Sequence, residues 1–193
     1  MSVLGAIIKV IFISLIGLVG LGLGAAIVGG VLIFTGSPSP CSDRVVEVSS
    51  AASQQLRADW AAFEDQAASG SAQITFTETG VTSRGVEYID EKDIPLKDLQ
   101  VRFCPDGLGE ATGTIKTPGP DIKVLLRGTL DLSGEKPRID VQTIKAGNFP
   151  GFGTTWILDN VIKKSDADIL DIKVPLTKLE ISDGSATLTG GRP

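Results

Sequence analysis

The chain has no histidine, and only two cysteines among its 193 residues. Histidine is the commonest general base near neutral pH and the commonest metal ligand. Its absence removes most hydrolytic triads, most zinc sites and histidine-ligated haem. Two cysteines cannot hold an iron–sulfur cluster. Charge is scarce at the start, where Lys9 is the only charged side chain before Asp43. With Lys9 set aside, the 18 basic groups become 17 against 23 acidic ones, a net charge of −6 on the remainder. Such a domain attracts neither nucleic acid nor anionic headgroups through bulk charge. Catalytic motifs are missing too: neither GxSxG nor a phosphate-binding P-loop occurs. Gly20, Gly22 and Gly24 lie inside an apolar run and Gly151-Phe152-Gly153 follows a proline loop, so neither reads as a dinucleotide site. Asp166, Asp168 and Asp171 lack the glycine turn and terminal glutamate of a calcium loop and read as a solvated acidic stretch. Glu91 and Asp93 read as surface charge. With no nucleophile beside a base, the sequence points away from an enzyme and implies no cofactor.

What is present begins with an anchor. From Val10 to Phe34 the chain runs 25 residues without a charge, against the roughly 20 needed to cross about 30 Å of hydrocarbon. A cleaved signal peptide is the rival reading, but its apolar region is only about 7 to 15 residues long. The expected organisation is a short tail over 1–9, a transmembrane helix over 10–34, a Pro/Ser linker over 35–44 and a domain over 45–193. Within the span, Gly20 and Gly24 form a GxxxG, and Gly22, Ala26 and Gly30 continue a second small-residue row. Such rows let helix backbones approach closely and can pack against another transmembrane subunit, although glycine is also simply frequent in membrane helices.

Basic residues near the span, Lys9 against Arg44 and Arg57, give almost no orientation bias. The cysteines give one. Cys41 and Cys104 lie on the same side of the span and are even in number; a disulfide between them needs an oxidising compartment outside the cytoplasmic membrane. The alternative is two unrelated buried thiols. Cys41 follows Ser37-Pro38-Ser39-Pro40, which does not fit a lipoprotein acylation site.

Beyond the linker, Val45, Val48, Ala52, Leu56, Trp60, Phe63 and Ala67 recur at three- and four-residue steps and predict one long amphipathic helix ended by Ser69-Gly70. Alternating segments then predict strands near 72–77, 99–104, 109–116, 121–132, 138–144, 172–181 and 185–189, with shorter helices over 78–91 and 154–164. In the longest strand, Ile122, Val124, Leu126, Leu130 and Leu132 share the apolar face. The expected class is α+β: a single N-terminal transmembrane helix, then a curved antiparallel sheet packed on a long amphipathic helix plus shorter helices.

The segments ITFTE, PLKDLQVRF with its PDG turn, and KAGNFPG, in that order behind an anchor and a helix, resemble uncharacterised membrane-anchored bacterial proteins related to tubular lipid-binding or AsmA-like domains. The resemblance implies a sheet wrapped about a helix with an apolar groove, and no catalytic signature comes with it. Trp60, Phe63, Leu126 and Trp156 are the candidate groove residues, with ordinary core packing as the alternative for the aromatic rings. The expected partners are the membrane, a lipid, or other transmembrane subunits, and the expected place is the cell membrane with the domain on the extracytoplasmic side.

Replacing Gly20 and Gly24 by leucine should leave the protein membrane-integral, because apolarity rises, while reducing the size of any assembly held by close helix approach. Blue-native electrophoresis in mild detergent reads the result; an unchanged assembly would make the glycines a matter of composition.

Overall fold

The structure, a computed structural model, describes residues 38–91, 93–116, 121–133, 138–147 and 174–191. Among these are two helices and seven strands in two antiparallel sheets. The expectation of one curved sheet on one long amphipathic helix is therefore corrected. Among the described residues no helix is long and apolar enough to cross a membrane. Residues 10–34, where the sequence predicts the crossing, and the helix expected over 154–164 lie outside the described residues.

Helix α1, Ser50–Ser69, is alanine-rich and starts later than the apolar spacing predicts. Ser49 is its cap: the hydroxyl accepts from the Ala52 N–H, satisfying one orphan donor of the first turn. Val45 and Val48 thus fall ahead of the helix, 82% and 54% exposed. The helix fully buries Ser53, Phe63 and Ala67, and Ala52, Leu56 and Trp60 of the expected stripe are half-buried.

α1 covers the smaller sheet, ordered β1-β7-β6, with β1 Ala72–Thr77, β6 Leu176–Ser182 and β7 Ser185–Gly190. Ile74 pairs with Leu188, which pairs with Leu179, and paired residues share a face. Against that face pack Phe63, Ala67, Ala72 and Val174, with Trp60 and Phe76 half-buried beside them. The Trp60 ring lies 5.3 Å from Phe63 and 6.2 Å from Phe76 by centroid. Gly191, at φ +106, ends the sheet where a Cβ would collide with the Gly70 carbonyl.

The larger sheet is ordered β2-β3-β4-β5, with β2 Leu96–Phe103, β3 Gly109–Ile115, β4 Ile122–Asp131 and β5 Arg138–Ala146. Its outer strand β2 is closed by helix α2, Glu78–Glu91. The Thr82 hydroxyl accepts from the Val101 N–H at 2.9 Å and donates to its carbonyl, while Glu78 accepts from the Phe103 N–H at 2.9 Å. Side chains thereby satisfy backbone groups that an open edge would offer to another chain. The Gly184 N–H donates to the Phe103 carbonyl, joining the β6–β7 turn to the larger sheet. Buried Ser53 donates to Glu87 at 2.7 Å and binds α1 to α2. Gly128 sits where the β4–β5 register shifts, and a Cβ there would collide with the Asp140 carbonyl.

Phe63 is 2% exposed at the centre of the smaller layer. Phe63→Ala should cost about 3–5 kcal/mol of unfolding free energy, measured by urea denaturation in detergent. A loss below about 1 kcal/mol would show that α1 does not hold the sheet through this ring.

Candidate functional site

The two faces of the larger sheet differ by register. Val101, Ala111, Leu126 and Ile144 pair in one row and form a half-buried apolar face. One residue along, Arg102, Glu110, Arg127 and Thr143 form a row on the opposite face, next to Gln100, Thr112, Leu125 and Lys145. That polar face is unusually buried: Arg102 is 6% exposed, Glu110 1% and Leu125 1%.

Residues 38–49, which precede α1, are fastened onto this polar face. Cys41 is bonded to Cys104 just past β2, with Cα atoms 6.0 Å apart and 63 residues between them in sequence. The Cys41 N–H donates to both carboxylate oxygens of Glu110, at 3.1 and 3.0 Å. Arg102 donates through Nε to the Arg44 carbonyl and through Nη1 to Thr112. Gln100 treats Val46 as a strand would: its carbonyl oxygen accepts from the Val46 N–H at 2.7 Å and its amide donates to the Val46 carbonyl at 3.1 Å. Buried Val46 follows, and the Ser49 N–H donates to Ser83 on α2. The part of the expected 35–44 linker that is described is thus a strap built into the domain.

Charge reinforces the strap at its surface. Arg44 pairs with Asp183 at 2.7 Å and Glu78 at 2.9 Å. The bond from Arg44 holds the Asp183 carboxyl below its ordinary pKa, and Arg44 itself is pushed up by Asp183 and then by Glu78. A depressed carboxyl pKa stabilises above the ordinary value and loses its effect as acid carries the pH down through the folded value, so this pair is intact at neutral pH. It is exposed to solvent and serves to orient the strap.

Glu110 is the deepest acid in the described residues. Its carboxylate and the two sulfurs lie within 4.8 Å of one another. Both sulfurs are consumed by the disulfide, so they offer no thiolate to a metal. The carboxylate already accepts from Cys41, and the Arg127 Nε stands 3.7 Å away, beyond hydrogen-bond reach. The Arg127 guanidinium bonds outward to Asp106 at 2.5 Å. The cluster is built to hold the strap.

Comparison with protein-family models, with curated proteins and with solved structures finds no match.

Of the residues singled out by sequence, Cys41 and Cys104 are brought together as a disulfide. Phe63 is buried and Trp60 half-buried under the smaller sheet, while Leu126 stands on the apolar face of the larger one. These candidate groove residues therefore sit in different layers. Trp156, the glycine row (Gly20, Gly22, Gly24, Ala26, Gly30) and Asp166, Asp168 and Asp171 lie outside the described residues. Sequence reasoning missed Glu110, Arg102 and Gln100. The available signal was alternation, which sets all three on the polar side of paired strands; nothing local says that a chain segment lies over them.

Glu110→Ala leaves the half-buried Cys41 N–H without its acceptor, and should lower unfolding free energy by about 1–3 kcal/mol. Urea titration of the oxidised protein measures it. No change would show that the carboxylate does not hold the strap.

Proposed function

We propose that this is a non-enzymatic, single-pass membrane-anchored envelope protein whose domain is held close to the extracytoplasmic membrane face and contacts lipid there. The observation that carries the reading is the Cys41–Cys104 disulfide together with its strap. A disulfide persists in an oxidising compartment, and Cys41 follows the apolar run by only seven residues. Seven residues span at most about 25 Å even when fully extended. The strap then admits no further slack, so a membrane-embedded 10–34 segment would hold the domain against the headgroup layer.

The apolar row Val101, Ala111, Leu126 and Ile144 supports the lipid part of the reading, being half-buried on a sheet otherwise closed at β2 by α2. A second reading, an accessory subunit docked in a larger membrane complex, is favoured by the small-residue row from Gly20 to Gly30.

Carbonate extraction of native membranes, followed by maleimide labelling of the unfolded, unreduced protein, tests the anchor and the compartment together. The expected result is a membrane-integral protein with no free thiol. Release by carbonate would end the anchor reading, and two free thiols would end the extracytoplasmic one. Native mass spectrometry of gently solubilised protein separates the two readings: retained lipid favours the first, and a stable larger assembly the second.

A further inference from the structure

Where the strap enters the domain it forms one wall of a small cleft. Pro38 and Pro40 line it from the strap, Asp98 from β2, Thr114 from β3, and Lys123 and Val124 from β4, enclosing about 180 Å³. Asp98 lies at the register shift of β2, between Lys97 and Gln100, and takes the left-handed conformation at φ +54, where aspartate is among the few residues tolerated. The extra residue re-aims the strand, a usual role of a bulge.

The charges fit one kind of ligand. Lys97, next to Asp98, is already paired with Asp121 at 2.5 Å, which with Asp98 raises its pKa. Lys123 and Asp98 make no ion pair among the described residues, and both are exposed. Among the described residues the cleft therefore presents one unpaired cation and one carboxylate on walls that are otherwise proline, valine, glycine and threonine.

Position selects the source of that ligand. Pro38 is four residues beyond Phe34, the last residue of the apolar run, and four residues reach at most about 14 Å. The headgroup layer outside the hydrocarbon is itself about 5–8 Å deep on each side. We propose that this cleft binds the headgroup of a zwitterionic phospholipid carrying a primary ammonium, of the phosphatidylethanolamine class, with Lys123 on the phosphate and Asp98 on the ammonium. A quaternary ammonium is recognised by aromatic cages, and among the described residues no aromatic side chain lines the cleft. An anionic headgroup would meet Asp98 and a domain of net charge −6. The proposal rests on the membrane-anchored reading and sharpens it, naming the lipid class and moving the contact from the sheet face to the strap.

The test uses the full chain reconstituted in phosphatidylcholine vesicles containing phosphatidylethanolamine, phosphatidylglycerol or neither, with retained lipid read by native mass spectrometry after mild solubilisation. Selective retention of phosphatidylethanolamine is expected, reduced roughly fivefold by either Asp98→Asn or Lys123→Gln. Both positions are exposed, so the variants should fold, and an unchanged urea midpoint checks it. Equal retention of the lipids, no retention, or retention indifferent to both substitutions overturns the cleft. A protein that carbonate releases from membranes but that binds soluble phosphoethanolamine overturns the lipid source and the anchor reading together. A membrane-integral protein without phosphatidylethanolamine overturns the cleft alone.

Discussion

A single tie between distant parts of the chain, the fastening of residues 38–49 across the polar face of the four-stranded sheet, organises this domain. Without it, Glu110 would lose the Cys41 N–H and Arg102 the Arg44 carbonyl, leaving them the neighbouring Arg127 and Thr112 of the sheet. With it, each has a fixed partner: Glu110 takes the Cys41 N–H on both oxygens, and Arg102 reaches the Arg44 carbonyl. The disulfide makes the tie covalent. Closing a loop across 63 residues is worth about 4 kcal/mol in the chain-entropy model. The polar contacts do the finer work of setting where along the sheet each strap residue lies.

The same economy recurs at the outer strand. β2 is covered by side chains: Thr82 answers Val101, Glu78 answers Phe103, and on the sheet face Gln100 answers Val46. A strand dressed in this way offers no open edge to a neighbouring chain. Glu78 joins the two devices, since it caps β2 and also receives Arg44 from the strap. Helix α2, the edge and the strap are therefore coupled, and loosening one exposes polar groups in the others.

Much of this was legible as pattern and little as assembly. The strands over 72–77 and 122–131 follow from alternation, and a strand over 109–115 and a helix over 78–91 stand where the sequence predicts them. The even number and common side of Cys41 and Cys104 sufficed to expect their bond. Two physical facts were hidden. Ser49 offers a cap that starts α1 at Ser50, so Val45 and Val48, although at helical spacing, belong to the strap and stand exposed. Splitting the strands into two sheets depends on which edges meet, a long-range choice that alternation does not encode; it separates Phe63 from Leu126, which a single curved sheet would have brought together. Nothing in its Gly/Thr strand marks Glu110, because its burial is supplied by a segment 69 residues away.

Amide hydrogen exchange of Cys41, Val46 and Ser49 in the oxidised full chain tests the central claim most directly. If the strap is part of the fold, these three N–H groups, held by Glu110, Gln100 and Ser83, exchange as slowly as the β3 and β4 ladder amides. Exchange at the rate of an unstructured peptide at all three, with the ladder still protected, would contradict it and leave the disulfide as the strap's only hold.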